Sequence, residues 1–288
     1  MASVWQANPM AILTIHSHVA CGHVGNAATV YPLQHMGHEV WPVHTVLLSH
    51  HPGHGGWHGA HISAGDVTAV LKGLKVHGVL ERCAAILTGY LGAVAVGKAV
   101  LSGWNDVRAA NPNAIVACDP ILGDEAEGLY VPDALIAFYR DHAIPAADVI
   151  FPNRFELALL SGHDVRDITS AVVAARAIMA RGPSTVIATS VPVGHELATV
   201  LVSTVGSWAV VTPRLTTPVK GAGDVFAALW VGYVLGDANT AAVALGRAVS
   251  DVHGLLERAA DEALKELPLY KYSPASAVPR FAPAPLTL

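Results

Sequence analysis

The sequence predicts an α/β protein with an open, mostly parallel central sheet covered by helices on both faces. Three observations point there. Short β-branched apolar runs alternate along the chain with longer segments of helical spacing. A strand followed by a helix, repeated, favours parallel strands joined by crossovers. Hydrophobic residues fill 52% of the 288 positions, enough for a large core.

In chain order, "MAILTIH" (Met10–His16) reads as a buried strand and "SHVACGHVGN" as the polar loop after it. "ATVYPLQHMG" is a short helix ending at Gly37, and "EVWPVHTVLL" a second strand. "SHHPGHGGWHGAHIS" is a long Gly/His loop of the kind that often forms a lid. Helical spacing runs from Asp66 to His77, followed by the strand "AAILTGY" with Gly89 near its end. "GAVAVGKAVLSGWNDVRAA" is an amphipathic helix stopped by Asn111-Pro112. "AIVACDPILGD" is a strand running into acidic loop residues, and "VPDALIAFYRDHAI" a helix with Pro132 in its first turn. "ADVIFPN" is a strand, "RFELALLSG" a short helix, and Ile168–Arg181 a longer one. "STVIATS" is a strand, and "ATVLVSTVGSWAVVTP" a hairpin turning at Val205–Ser207. Val225–Leu235 and Thr240–Ala260 are helices. No repeat or low-complexity linker breaks the pattern before Pro268. Residues 1–267 are therefore expected as one domain and 268–288 as a Pro-rich tail, an edge strand at most.

Composition excludes several classes. Net charge is −5 with histidine neutral, and without a basic patch nucleic acid is not an expected partner. The longest clearly apolar stretch, Val225–Leu235, is too short to cross a bilayer. The N-terminal "MASVWQANPM" lacks the pattern of a secretory signal. Cys21, Cys83 and Cys118 are odd in number and widely spaced, as buried thiols of a reducing compartment are. A soluble cytoplasmic protein is the expectation.

In open α/β sheets ligands bind beyond the carboxyl ends of the strands. Here that rule selects Ser17, the Ser49–His61 loop, Gly89-Tyr90, Asp119–Asp124, Phe151–Glu156 and Thr189-Ser190. The loop "KGAGD" joins them, three small residues (Gly221, Ala222, Gly223) leading into Asp224 and an apolar helix. Small residues let backbone N–H groups approach an anion, and a helix N-terminus favours negative charge. Phosphoryl transfer from ATP needs such a cradle, carboxylates to hold Mg²⁺ through water, and a base for the acceptor's proton. "CDPILGD" supplies Asp119 and Asp124, "PNRFE" supplies Asn153 and Glu156, and "ATS" supplies Thr189 and Ser190. Asp224 is the candidate base, expected to stay ionised beside a helix N-terminus. Taken singly, each residue also has an ordinary role. Asp224 reads as a helix cap, Asp119 as a turn residue before Pro120, and Asp124 as a solvated charge. Asn153 and Glu156 read as a near capping box.

The order of these motifs resembles the pyridoxal kinases of the ribokinase-like superfamily. "SHVACGHVGNAATVYPLQHMGHEVWPVHTV" is similar to that family's opening segment. "LTGYLG", "NPNAIVACDPILGD", "PAADVIFPNRFELALLSG" and "KGAGDVFAA" follow in the family's order over about residues 11–260. The resemblance implies a ribokinase-like three-layer sandwich that transfers the ATP γ-phosphate to the 5′-hydroxymethyl group of pyridoxal, pyridoxine or pyridoxamine. It implies Asp224 as base and Gly221, Ala222 and Gly223 as anion hole. Asp119, Asn153, Glu156, Thr189, Ser190, Gly223, Leu215, Thr216 and Thr217 are implied around ATP. Asp119, Asp124 and Glu156 are implied near Mg²⁺. Ser17, Val46, His51 and Tyr90 are implied around the vitamin. A monovalent cation and a homodimer come with the same resemblance.

Departures fall mainly on the vitamin side. "HHP" (His50, His51, Pro52) stands where the family commonly has N-H-T, so Pro52 offers neither hydroxyl nor N–H. His16 replaces the usual Gln before the serine, Phe151 a small or hydroxyl residue, and Ala222 a common Thr. The rival within the superfamily is a hydroxymethylpyrimidine kinase. A rival of another class starts from the histidines, eleven of the sixteen lying between His16 and His61. His16-x-His18 on a strand would point both rings to one face as metal ligands of a hydrolase. A non-catalytic pyridoxal-binding protein is the third reading.

Overall fold

The computed structural model describes residues 10–215, 219–238, 240–274 and 278–287. β1 (Ala11–Val19) opens the chain and is buried through His16. It runs past the expected end at His16 because β2 (Glu39–Leu48) continues beside it, with a bulge between His16 and His18. α1 (Asn26–His35) joins the two. The His-rich loop after β2 contains β3 (Gly59–His61), antiparallel to β2. Its three exposed residues carry no strand pattern, so only main-chain pairing defines it. α2 (Ala64–His77) starts at Ser63, whose hydroxyl accepts Asp66 N, and stops at the left-handed Gly78.

β4 (Cys83–Thr88), α3 (Val94–Ala110) and β5 (Ile115–Cys118) follow as expected. The acidic loop folds into a small hairpin, β6 (Gly123–Asp124) with β7 (Gly128–Leu129). The next helix is broken: α4 (Asp133–Phe138) passes through a wide π turn into the short α5 (Ile144–Ala146), and Pro132 caps it from outside. β8 (Val149–Ile150), α6 (Arg154–Ser161) and α7 (Ile168–Met179) lead to β9 (Thr185–Val193). β9 continues past Ser190 to pair with β10 (Glu196–Ser203), which pairs with β11 (Gly206–Pro213). α8 (Ala222–Leu235) and α9 (Ala241–Asp261) complete the helices, and β12 (Ala284–Pro285) adds to the edge at β11.

Among the described residues the main sheet is ordered β12-β11-β10-β9-β8-β5-β4-β1-β2-β3. The six strands from β9 to β2 are parallel, and the flanks are antiparallel. Successive strand residues face opposite sides. Leu13, Ile15 and Ile86 pack toward α2, α3, α4, α6 and α7, whereas Ile12, Ala85 and Leu87 pack toward α1, α8 and α9. α8 is apolar all round because it lies between the sheet, α1 and α9. The segment after Pro268 returns over α9: Tyr272 is buried with its hydroxyl on Asp251, and Phe281 sits edge-on to His253.

Candidate active site

The carboxyl ends of the parallel strands and the N-terminus of α8 line one cavity of about 1000 Å³. Asp119, Asp124, Asn153, Glu156, Thr189, Ser190, the Gly221–Gly223 loop and Asp224 all contribute to its wall. α8 begins at Ala222, earlier than the apolar run suggests, so Ala222, Gly223 and Asp224 form its first turn. Gly221 is the N-cap with φ 86°, and a Cβ there would lie 2.1 Å from His23 O. Only glycine turns the chain that tightly against the loop after β1. The first-turn N–H groups of a helix have no intrahelical acceptor, which leaves them for an anion.

Asp224 is not the cap. Its Oδ2 accepts a hydrogen bond from Gly25 N at 2.7 Å, and its Oδ1 lies 3.1 Å from His16 Nε2. Burial pushes this carboxyl up, but the hydrogen bonds from His16 and the Gly25 N–H, with His51 nearby, hold it below the ordinary carboxylate value. Asp224 is therefore an ionised carboxylate, 8% exposed, at the wall of a cavity.

Asn153 and Glu156 form a complete capping box at the start of α6, each side chain accepting the other's backbone N–H at 2.9 Å. Glu156 also accepts from Leu122 N and Gly123 N, and Asn153 Nδ2 donates to Gly123 O. Both side chains thus hold the β6 hairpin in place. Asp119 is buried below it, pushed well above the ordinary value by burial and by the neighbouring Glu156 and Asp224 charges. Asp124 accepts from Ala126 N, Glu127 N and the Tyr130 hydroxyl. Among the described residues no three His, Cys, Asp or Glu side chains converge as a metal group. Asp119, Asp124 and Glu156 therefore share the cavity without forming an inner ligand cage. Thr189 and Ser190 sit in a β-bulge rather than at a strand end, and Ser190 has φ 62°. Leu215 does not reach the cavity wall, whereas Arg214 does. Thr216 and Thr217 lie outside the described residues.

Sequence reasoning passed over Lys220. Its Nζ lies 2.5 Å from Glu127 and 3.9 Å from Asp124, spanning from the α8 loop to the β6 hairpin. A lysine directly before the small-residue loop is the signal that marked it. Glu127, Tyr130 and Trp57 also line the cavity from loops without periodic pattern.

On the other side lie Ser17, Val46, His51 and Tyr90. Gly25, at φ 59°, leaves room for Ser17, whose Oγ would be 2.3 Å from a Cβ there. Val46 packs with Val19, Val24, Leu48 and Tyr90 as an apolar wall. Thr45 donates to Tyr90 O at 2.6 Å and fixes the tyrosine's backbone. His51 caps a tight turn at Pro52–His54 by accepting Gly53 N, and burial, then Lys220 and His54, lower its pKa. Phe151 packs edge-on against Trp230 and Phe226 in the core. His16 and His18, a pair in the sequence, take separate partners where the register with β2 shifts: His16 meets Asp224, and His18 stacks on His44 with ring centroids 4.5 Å apart.

The family model described as phosphomethylpyrimidine kinase matches residues 66–264. The pyridoxal kinase PdxY of Rubrobacter xylanophilus is 43% identical over 92% of each chain. That of Corynebacterium diphtheriae is 41% identical over 94% of this chain and 97% of its own. Among solved structures, pyridoxal kinase from Leishmania donovani in complex with ADP and pyridoxamine superposes with a TM-score of 0.89 at 28% identity, covering 96% of this chain and 99% of that one. The chain belongs to the pyridoxal kinase family, with the ribokinase-like fold.

Proposed function

We propose that this chain transfers the γ-phosphate of ATP to the 5′-hydroxymethyl group of pyridoxal, giving pyridoxal 5′-phosphate, with pyridoxine and pyridoxamine as further acceptors. One observation carries the reading: Asp224 is an ionised, buried carboxylate in the first turn of α8, at the wall of a cavity shared with candidate residues for both substrates. In this reading Asp224 orients the acceptor hydroxyl and takes its proton as the phosphoryl group leaves ATP. The N–H groups at Gly221, Ala222 and Gly223 receive the transferring negative charge. Ser17, Val46, His51 and Tyr90 hold the pyridine ring. Asn153, Glu156, Thr189 and Ser190 shape the triphosphate end, and Lys220 exchanges its acidic partners for phosphate oxygens.

Mg²⁺ fits the donor set in one respect: Asp119 is a buried carboxyl crowded by other carboxylates, and a nearby cation relieves that crowding. Asp119 would hold it, with Asp124 and Glu156 acting through water, and the ion would neutralise charge on the phosphates. A monovalent cation, a homodimer and a cytoplasmic setting complete the proposal on the family resemblance; size-exclusion chromatography with light scattering tests the dimer. No helix among the described residues is long and apolar enough to cross a membrane.

A second reading has its own support. The matching family model is described as phosphomethylpyrimidine kinase. A putative phosphomethylpyrimidine kinase from Bacteroides thetaiotaomicron superposes with a TM-score of 0.88 at 25% identity. The deciding experiment gives the purified protein Mg·ATP with pyridoxal or with hydroxymethylpyrimidine and separates the products by chromatography. Pyridoxal 5′-phosphate is the expected product; phosphorylation of the pyrimidine alone would replace the acceptor.

A further inference from the structure

We infer that His16 is a positioning residue for Asp224: its Nε2–H holds one carboxylate oxygen so that the base meets the acceptor hydroxyl in a single orientation. The inference rests on the proposed kinase reading and goes beyond it by adding a residue to the proton-transfer apparatus.

The hydrogen bonds define the ring. Ser17 N donates to His16 Nδ1 at 2.8 Å, and a backbone N–H can only donate. Nδ1 is therefore an acceptor, and the ring hydrogen sits on Nε2. Nε2 lies 3.1 Å from Asp224 Oδ1, with His16 only 3% exposed. That geometry makes His16 a donor to the carboxylate, not a second base. Asp224 Oδ2 is held separately by Gly25 N at 2.7 Å. One donor on each oxygen stops rotation of the carboxylate, while each oxygen keeps a lone pair.

The neighbouring strand is built around the ring. A Cβ at Gly89 would lie 1.9 Å from His16 Nε2 and 2.1 Å from Cδ2. Gly89 has no positive φ that would call for glycine, so the space itself is the requirement. The missing side chain at the end of β4 is the place where the imidazole stands. Asn26 Nδ2, 3.4 Å from His16 O, ties the same residue's backbone to α1.

The test compares steady-state kinetics of wild type, His16→Leu, His16→Gln and Gly89→Ala, with circular dichroism and thermal unfolding to establish that each is folded. Leucine fills the site without a donor; glutamine carries an amide N–H at similar reach. His16→Leu is expected to lower kcat roughly 10- to 100-fold, a misplacement effect, with little change in KM for either substrate. His16→Gln is expected to recover most of that loss. Gly89→Ala is expected to lower kcat in the wild-type background and to add little in the His16→Leu background, because its effect passes through the ring. A folded His16→Leu with wild-type kcat overturns the inference. So does a Gly89→Ala penalty that is equal in both backgrounds. If wild type phosphorylates the pyrimidine and not pyridoxal, the acceptor reading fails, and the same comparison is read on the pyrimidine.

Discussion

Gly25 N donates to Asp224 Oδ2 at 2.7 Å, joining residues 199 positions apart in the chain. An asparagine at 224 keeps an acceptor for Gly25 and nearly the same volume, but it cannot take a proton. Asp224→Asn is expected to lower kcat by about 10²- to 10⁴-fold, while pyridoxal affinity by calorimetry changes little. Turnover near wild type would remove Asp224 from the role of base.

Lys220 lies between Glu127 and Asp124 at the start of the small-residue loop. If it exchanges them for phosphate oxygens, Lys220→Met raises KM for Mg·ATP by roughly tenfold, the scale of one exposed charge contact of about 1 kcal/mol or slightly more. KM for pyridoxal stays within about twofold of wild type. Initial rates at varied ATP and fixed pyridoxal, and then the reverse, separate the two constants.

Glu156 satisfies the N–H groups of Leu122, Gly123 and Asn153 while 3% exposed. Glu156→Ala leaves those donors without their acceptor and opens the α6 cap. A loss of about 2–3 kcal/mol is expected, seen as a thermal midpoint lower by roughly 5–10 °C. A midpoint unchanged within error would show that water replaces the carboxylate.

Burial lowers the pKa of His18, and burial together with His18 lowers that of His44. Histidines in the unfolded chain take up protons at higher pH than these two rings do in the fold. Stability from this pair is therefore present above the ordinary histidine value of about 6.5 and is lost as pH falls through the lowered values. Urea unfolding at pH 7.5 and pH 5.5 is expected to show a smaller stability difference for His44→Gln than for wild type. An unchanged difference would mean that other groups set the acid sensitivity.

Much of the fold was legible because its strands are short apolar runs separated by helices of clear period. "MAILTIH", "AAILTGY" and "STVIATS" each mark a parallel strand. β3 was not legible, since Gly59–His61 is exposed and its pairing is main-chain only. The start of α8 was missed because Gly221, Ala222 and Gly223 carry no helical pattern, although Ala222 and Gly223 are already helical. The ordinary and functional readings of Asn153 and Glu156 proved compatible: a full capping box stands at the cavity wall. The meeting of His16 with Asp224 was illegible for a different reason. A local pattern marks His16-x-His18 as a pair, whereas the partner of His16 lies 208 positions away in the chain.

The partners of Asp224 come from the first strand and the loop that follows it, whereas Asp224 itself arrives near the end of the chain. Contacts so distant in sequence close late, after loop entropy has been overcome. During synthesis, strands β1 to β9 can be complete before Asp224, the proposed base, has been made. Refolding should therefore restore helical signal before it restores turnover, and the interval between the two measures how long α8 takes to dock against β1.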